Sequence, residues 1–230
     1  VGRDGDLYSV GSCDGGVTGH GDGETRLVPT RVVALARERV VCVAAGELHS
    51  LVVVQRGAVF SFGHGGNGQL GHGDEVDRST PKWVEGLANE RVVTVAAGGN
   101  SSMAATAEGR VFTWGFGTNR ALGHGDTNAQ LTPKLVEALV KERVVAVAAG
   151  GAHSVMVSAS RRVYTCGQAA DGQLGHGDEN NLPTPKLVGA LGGEQVVGVS
   201  AGEYFTMAVT VDGRAFSWGG GMCGKLGHAD

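Results

Sequence analysis

Five copies of one short motif, set at a constant interval, limit what this chain can become. Gly68-Gln69-Leu70-Gly71-His72-Gly73-Asp74 holds its fullest form. The end of it returns as Leu122-Gly123-His124-Gly125-Asp126, Leu174-Gly175-His176-Gly177-Asp178 and Leu226-Gly227-His228-Ala229-Asp230, and an altered copy stands earlier at Thr18-Gly19-His20-Gly21-Asp22. Successive copies begin 52 residues apart, with no insertion or deletion between them. A fixed period of this length means that one supersecondary unit is used repeatedly, each unit gaining its core by stacking on its neighbours. The period divides the 230 residues into a leading partial unit, 1–22, and four whole ones, 23–74, 75–126, 127–178 and 179–230.

Within a unit the pattern is that of short strands between tight turns. Gly57-Ala58-Val59-Phe60-Ser61-Phe62-Gly63 and Gly109-Arg110-Val111-Phe112-Thr113-Trp114-Gly115 are β-branched and aromatic runs bracketed by glycine. In the unit 75–126 four strands are expected, at 82–87, 91–97, 102–106 and 110–114, with Pro81 opening the first. The second is the most apolar, and Val40–Ala45, Val92–Ala97, Val144–Ala149 and Val196–Ala201 read as buried runs whose terminal alanines let neighbouring sheets approach. No helical period of useful length competes. Glycine, at 41 of 230 residues, far exceeds the roughly 7% of ordinary proteins, yet it lacks the every-third spacing of collagen.

Four short antiparallel strands per ~50 residues is the arithmetic of a β-propeller blade, so the fold class is all-β, as a single propeller region over 1–230. The succession V-V-x-V-A-A-G-x-x-H-S, then G-x-V-F-x-W-G, then G-Q-L-G-H-G-D resembles the repeat of the regulator of chromosome condensation family across essentially the whole chain. The resemblance implies a seven-bladed ring for a complete domain. Four whole units, no initiator Met and an end on the motif itself therefore read as part of a longer propeller, with a smaller closed ring as the alternative.

Charge and cysteine content narrow the function classes. The net charge is −4 with no run of like charges, so neither a nucleic-acid partner nor a membrane surface is expected. No stretch approaches the ~18 apolar residues of a membrane span. Cys13, Cys42, Cys166 and Cys223 occupy four different places in the 52-residue frame and form no C-x-x-C pair, which reads as free thiols in a reducing compartment, cytoplasmic or nuclear.

The motif histidines His20, His72, His124, His176 and His228, each followed two residues later by an aspartate, invite a metal or acid–base reading. Equivalent places on successive blades are spread around a ring and cannot meet at one ion. The structural reading is preferred: Leu packs between blades, and His and Asp bond to loop backbone. No nucleophile–base–orienter set is spaced for catalysis, and the glycine-rich loops lead into no helix and carry no Gly-Lys-Ser/Thr, so no enzyme activity, metal or cofactor is expected.

The variable places in the frame lie at the turn after the second strand: Glu47-Leu48, Gly99-Asn100, Gly151-Ala152 and Glu203-Tyr204, followed by His49, Ser101, His153 and Phe205. Loop variation on a rigid scaffold is where binding is expected. The leading function is therefore a protein–protein interaction module, and the resemblance implies that such modules occur alone or inside larger regulatory or ubiquitin-ligase proteins. The alternative it implies is guanine-nucleotide exchange on a Ran-like small GTPase. Carried over by position, the partner-binding candidates are Glu47, Leu48, His49, Asn100, His153, Glu203 and Tyr204. The unbroken period leaves no room for the wedge that the exchange factor inserts. The G-W-R-H-T motif of the family's ultraviolet-B photoreceptor branch has no match either. Trp83, Trp114 and Trp218 sit at strand positions and read as core. An incomplete ring leaves apolar faces and free strand edges, so self-association of the chain alone is expected.

Overall fold

The computed structural model describes residues 1–228; Ala229 and Asp230, the end of the fifth motif copy, lie outside the described residues. Its strands are β1 (Tyr8–Gly11), β2 (Arg26–Arg31), β3 (Val40–Ala45), β4 (His49–Val54), β5 (Val59–Gly63), β6 (Arg78–Trp83), β7 (Val92–Ala97), β8 (Ser101–Thr106) and β9 (Val111–Gly115). They continue as β10 (Gln130–Leu135), β11 (Val144–Ala149), β12 (His153–Ser158), β13 (Val163–Gly167), β14 (Leu182–Leu187), β15 (Val196–Ala201), β16 (Phe205–Thr210) and β17 (Ala215–Gly219). β3–β6, β7–β10 and β11–β14 form three four-stranded antiparallel sheets in sequence order, flanked by the two-stranded β1–β2 and the three-stranded β15–β17. Each four-stranded sheet takes its outermost strand from beyond the glycine-rich motif, so the motif connects the third strand to the fourth.

That outermost strand is where the sequence reading needs correction. The strand expected at 82–87 is β6, Arg78–Trp83, and Pro81 lies inside it. Proline is tolerated because β6 bonds to β5 on one side only and the ladder is irregular between Ser61 and Gly63. The apolar residues that looked like its second half belong to a 3₁₀ turn, Glu85–Leu87, in which the Leu87 amide donates to the Val84 carbonyl at 3.1 Å. Val84 and Leu87, three apart, both point into the core, and Val32/Leu35, Val136/Leu139 and Val188/Leu191 repeat the device. Spacing by three was read as strand because the run was too short to declare its period.

The second correction concerns depth. The apolar run of each unit, β3, β7, β11 or β15, is the innermost strand, half covered: Val41, Val93, Val145 and Val197 remain 40–53% exposed. The strand after it is the buried one, with β8 and β12 buried at every residue. Both faces of that middle strand are covered by adjacent sheets, as stacking requires.

Packing proceeds sheet to sheet. Leu51, Val53 and Val84 of one sheet meet Val95, Ala104, Phe112 and Trp114 of the next; Met103 and Ala105 then meet Val144, Met156 and Cys166; and Val155 and Val157 meet Val196 and Ala208. The motif leucines Leu70, Leu122 and Leu174 are buried as expected. Of the three tryptophans, Trp114 is fully buried, Trp218 half-buried and Trp83 40% exposed on the edge strand, so Trp83 is not core. Replacing Trp114 by Ala is expected to lower the free energy of unfolding by about 3–5 kcal/mol. Trp83→Ala is expected to lower it by about 1 kcal/mol or less. Urea denaturation of the two variants beside the parent checks both.

Candidate functional site

The innermost strands end, all at one side, in a tight turn to the middle strand. Ala45, Gly46 and Glu47 from the first such turn, Ala97 to Gly99 from the second, Ala149 to Gly151 from the third and Ala201 to Glu203 from the fourth line one shared cavity of about 350 Å³. The turns are hydrogen-bonded to one another: the Glu47 amide donates to the Gly98 carbonyl, and the Gly99 amide to that of Gly150, each at 3.3 Å. Contact this close excludes side chains. A Cβ on Gly98 would lie 2.4 Å from the Gly150 carbonyl oxygen, and one on Gly150 would lie 2.5 Å from that of Gly202. The mouth of the cavity is therefore paved with bare backbone, and its charged lining residues are Glu47 and Glu203.

Five of the seven candidates stand around this mouth. Glu47 and Glu203 are exposed, and Leu48 and Tyr204 are each 40% exposed. Asn100 is half-buried, its Oδ1 accepting from Asn67 Nδ2 at 3.1 Å. The Tyr204 hydroxyl is held above its ordinary pKa, first by its hydrogen bond to Glu203, then by the charge of Glu203, with Asp171 and Glu47 adding to it. Lys225 stands 5.8 Å from the centre of the Tyr204 ring. Asn67, Asp171 and Lys225 come from the motif loops and were missed by the sequence reading. The available signal was the frame itself: 67, 119 and 171 read Asn, Asn, Asp, while 69, 121, 173 and 225 read Gln, Ala, Gln, Lys.

The other two candidates are not at the surface. His49 and His153 are 1% and 0% exposed. His49 Nε2 lies 2.8 Å from Ser102 Oγ of the following sheet, and His153 Nε2 lies 2.8 Å from Thr206 Oγ1. Each hydroxyl spends its one proton on a loop carbonyl, Ser102 on Gln69 at 2.7 Å and Thr206 on Gln173 at 2.9 Å. Each imidazole must therefore donate from Nε2, leaving Nδ1 as a bare acceptor, buried and without a partner. These histidines join sheets and cannot contact a docking protein.

The motif histidines obey the same rule. Ser61 Oγ donates to the Leu70 carbonyl at 2.7 Å and receives His72 Nε2 at 3.0 Å. Ser9–His20, Thr113–His124, Thr165–His176 and Ser217–His228 repeat this at 2.9–3.0 Å. The partner of the motif histidine is thus a strand hydroxyl, where loop backbone was expected. The motif aspartates do bond to loop backbone: Asp22, Asp74, Asp126 and Asp178 each accept the amide two residues on. Among the described residues no group of three or more His, Cys, Asp or Glu side chains gathers as for a metal ion, and no helix is long and apolar enough to cross a membrane. The four cysteines are unpaired.

The model of the regulator of chromosome condensation (RCC1) repeat matches residues 4–53, 56–105, 108–157 and 162–209. The chain belongs to the RCC1 repeat family. It is 36% identical to the ultraviolet-B receptor UVR8 of Arabidopsis thaliana over 222 residues, covering 96% of this chain and 50% of the receptor. It is 38% identical to the human E3 ubiquitin-protein ligase HERC2 over 232 residues, covering 99% of this chain and 5% of the ligase. Human WBSCR16 superposes with a TM-score of 0.89 at 28% identity, over the whole of this chain and 60% of that one. Saccharomyces cerevisiae Prp20p gives 0.83 at 24% identity, over 98% and 56%. The chain thus spans half or less of these curated relatives and a little over half of these solved structures. RCC1 repeats superpose on the 52-residue frame, and the variable turn falls inside each matched repeat.

The buried RCC1-repeat histidines give a pH test. Burial pushes His49 and His153 down to about 4, with the nearby His64 adding to the effect at His49. The unfolded chain, with histidine near 6.5, then binds more protons than the folded one between pH 6.5 and 4, so stability is full above 6.5 and falls as pH drops through that window. Urea midpoints from pH 7 to 4 are expected to decline, and His49→Gln with His153→Gln is expected to flatten the decline.

Proposed function

We propose that the chain is a protein-interaction module whose binding face is the cavity mouth bearing Glu47, Leu48, Asn100, Glu203 and Tyr204. The observation that carries this reading is the contrast between frame and turn. The strands and the bond from strand hydroxyl to motif histidine recur every 52 residues, and against them residue 47 and its equivalents read Glu, Gly, Gly, Glu, while residue 48 and its equivalents read Leu, Asn, Ala, Tyr. Two 40%-exposed apolar side chains, Leu48 and Tyr204, stand beside carboxylates on backbone that is tied in place. A rigid apolar anchor with a charged rim is how interfaces concentrate binding energy. Asp171 and Asn67 extend the rim. His49 and His153 support the face from beneath.

Membership of a larger regulatory or ubiquitin-ligase protein is the setting that the likeness to HERC2 supports. Unpaired cysteines are in keeping with a cytoplasmic or nuclear compartment. Guanine-nucleotide exchange on a Ran-like GTPase is the second reading, supported by the family alone. Yeast Prp20p, a protein with binding properties toward Gsp1p and histones, shares the fold at 24% identity. The short turns between β3 and β4, β7 and β8, and β11 and β12 offer no projecting wedge.

Joint replacement of Glu47, Leu48, Glu203 and Tyr204 by Ala is expected to weaken capture of a bound partner by about tenfold or more while leaving the urea midpoint unchanged. Unchanged capture removes this face from the reading. Release of labelled GDP from a Ran-like GTPase is expected to proceed at its intrinsic rate with the chain present. Acceleration would favour the exchange reading.

A further inference from the structure

Three threonines recur in the 52-residue frame at places that the binding face does not use. Thr80-Pro81-Lys82, Thr132-Pro133-Lys134 and Thr184-Pro185-Lys186 lie on the outermost strands β6, β10 and β14, and all three threonines are exposed. A residue directly before proline is held extended by the ring that follows it. In β10 the ladder to β9 breaks at this step: Gln130 opposes Gly115 and Lys134 opposes Thr113, with the register shifted between them. Thr132 therefore sits in an extended Thr-Pro step whose outer edge is free and whose inner edge is locally unpaired. The step is anchored by the Leu131 carbonyl, which accepts the Gly73 amide of the neighbouring motif loop at 2.9 Å.

What Thr132 faces sets it apart. It lines a cavity of about 190 Å³ together with His72 of the motif loop, Lys82 and Trp83 of β6, and Glu85 of the turn after β6. Its methyl is turned to the motif loop, Cγ2 lying 3.6 Å from where a Cβ on Gly73 would stand. Among the described residues no hydrogen bond engages its hydroxyl, whereas those of Thr113 and Thr165 are spent on loop carbonyls. Lys82 is likewise in no ion pair among the described residues, although Arg78 on the same strand is held by Asp74 at 2.6 Å. An unspent hydroxyl and an unspent ammonium thus share one cavity at the seam between two sheets. Thr80 lacks this arrangement, because Thr30 stands one unit earlier where Lys82 does. Thr184 has Lys134 at the corresponding place, but with Leu135 for Trp83 and Ala138 for Gly86.

We propose that Thr132 is a phosphorylation site whose phosphate seats in this cavity against Lys82, strapping β10 to β6. The donor is ATP held by a proline-directed protein kinase. The bond from the γ-phosphorus to the ADP oxygen breaks, a bond from that phosphorus to Thr132 Oγ1 forms, and the hydroxyl proton leaves to the base of the kinase. The modified side chain carries a charge of about −1.5 to −2 at neutral pH and three strong acceptor oxygens. Lys82 supplies a charge-assisted donor to them. His72 gives its Nε2 to Ser61 and is pushed down to about 4 by burial, then by Lys82 and Arg78, against the opposing charge of Asp74. A dianion beside it favours its charged form. Glu85 is the opposing carboxylate in the lining, and Asp74 is already paired with Arg78. The new bond crosses between neighbouring sheets, so it adds to the adjacent-pair contacts on which a stacked array depends.

Mass-spectrometric mapping of the folded chain after treatment with a mitogen-activated protein kinase and ATP is expected to place phosphate on Thr132, and Thr132→Ala is expected to lose that signal. In a phosphorus NMR titration the phosphate on Thr132 is expected to lose its second proton about half a pH unit or more below the usual value near 6. Lys82→Gln alters an exposed side chain and is expected to return the titration to that value. Phosphorylation is expected to raise the urea midpoint of the parent and to leave that of Lys82→Gln unmoved. A folded chain that takes no phosphate at Thr132, or takes it only at Thr80 or Thr184, overturns the proposal. So does a phosphate on Thr132 that titrates identically with and without Lys82, or that leaves the urea midpoint of the parent unchanged.

Discussion

A single carbonyl oxygen holds each pair of sheets together. Gln69, at the end of the motif loop, offers its carbonyl to the next sheet, where Ser102 Oγ and Trp114 Nε1 both donate to it, at 2.7 and 2.8 Å. Gln173 does the same for Thr206 and Trp218, Ala121 for Ser154 and, weakly, Cys166, and Val17 for Ser50. At two of these junctions a histidine completes the hydroxyl from the other side, His49 at Ser102 and His153 at Thr206. A buried carbonyl left without donors costs about 1–3 kcal/mol, so loop, strand and aromatic must arrive together. This ties the glycine-rich motif to its neighbour as well as to its own sheet, and it makes stability a sum over adjacent pairs.

The ion pairs contribute far less. Glu38–Arg56, Glu90–Arg110, Glu142–Arg162 and Glu194–Arg214 recur around the periphery at 2.5–2.9 Å, with the arginines 41–58% exposed. Exposed pairs of this kind are worth about 0–1 kcal/mol. The Arg56, Arg162 and Arg214 guanidinium groups also lie 5.7–5.9 Å from the centres of Phe60, Tyr164 and Phe216, so they cover the outer edge of those three aromatic strands.

Much of this was legible in the residues because it repeats. The period gave the unit, the glycine brackets gave β5, β9 and β13, and the motif leucines gave the buried contact. What escaped was decided by the neighbour and not by local sequence. Val84 and Leu87 look like strand until a core is present for a 3₁₀ turn to face. Val40–Ala45 looks buried on both sides until its sheet is set against an open cavity. His49 looks like a surface turn residue until Ser102, 53 positions on, is brought against it. Trp83 and Trp114 carry the same chemistry, and only the stacking order makes one an edge residue and the other the centre of a core. At the candidate site, the variable turn was visible as broken repetition, while Asn67, Asp171 and Lys225 reach it from a loop whose variation had been absorbed into the motif.

The inner turn separates two tasks within four residues. Gly46 and His49 are bound to the frame, one by lack of space and the other by its hydroxyl partner, while Glu47 and Leu48 between them touch little of their own sheet. Side chains can therefore change at Glu47 and Leu48 without re-solving the packing beneath, whereas at Gly99 and Gly151 an added Cβ would lie 2.9–3.0 Å from the next turn. The outer turns of the row are open to variation and the inner ones are held to glycine by their neighbours.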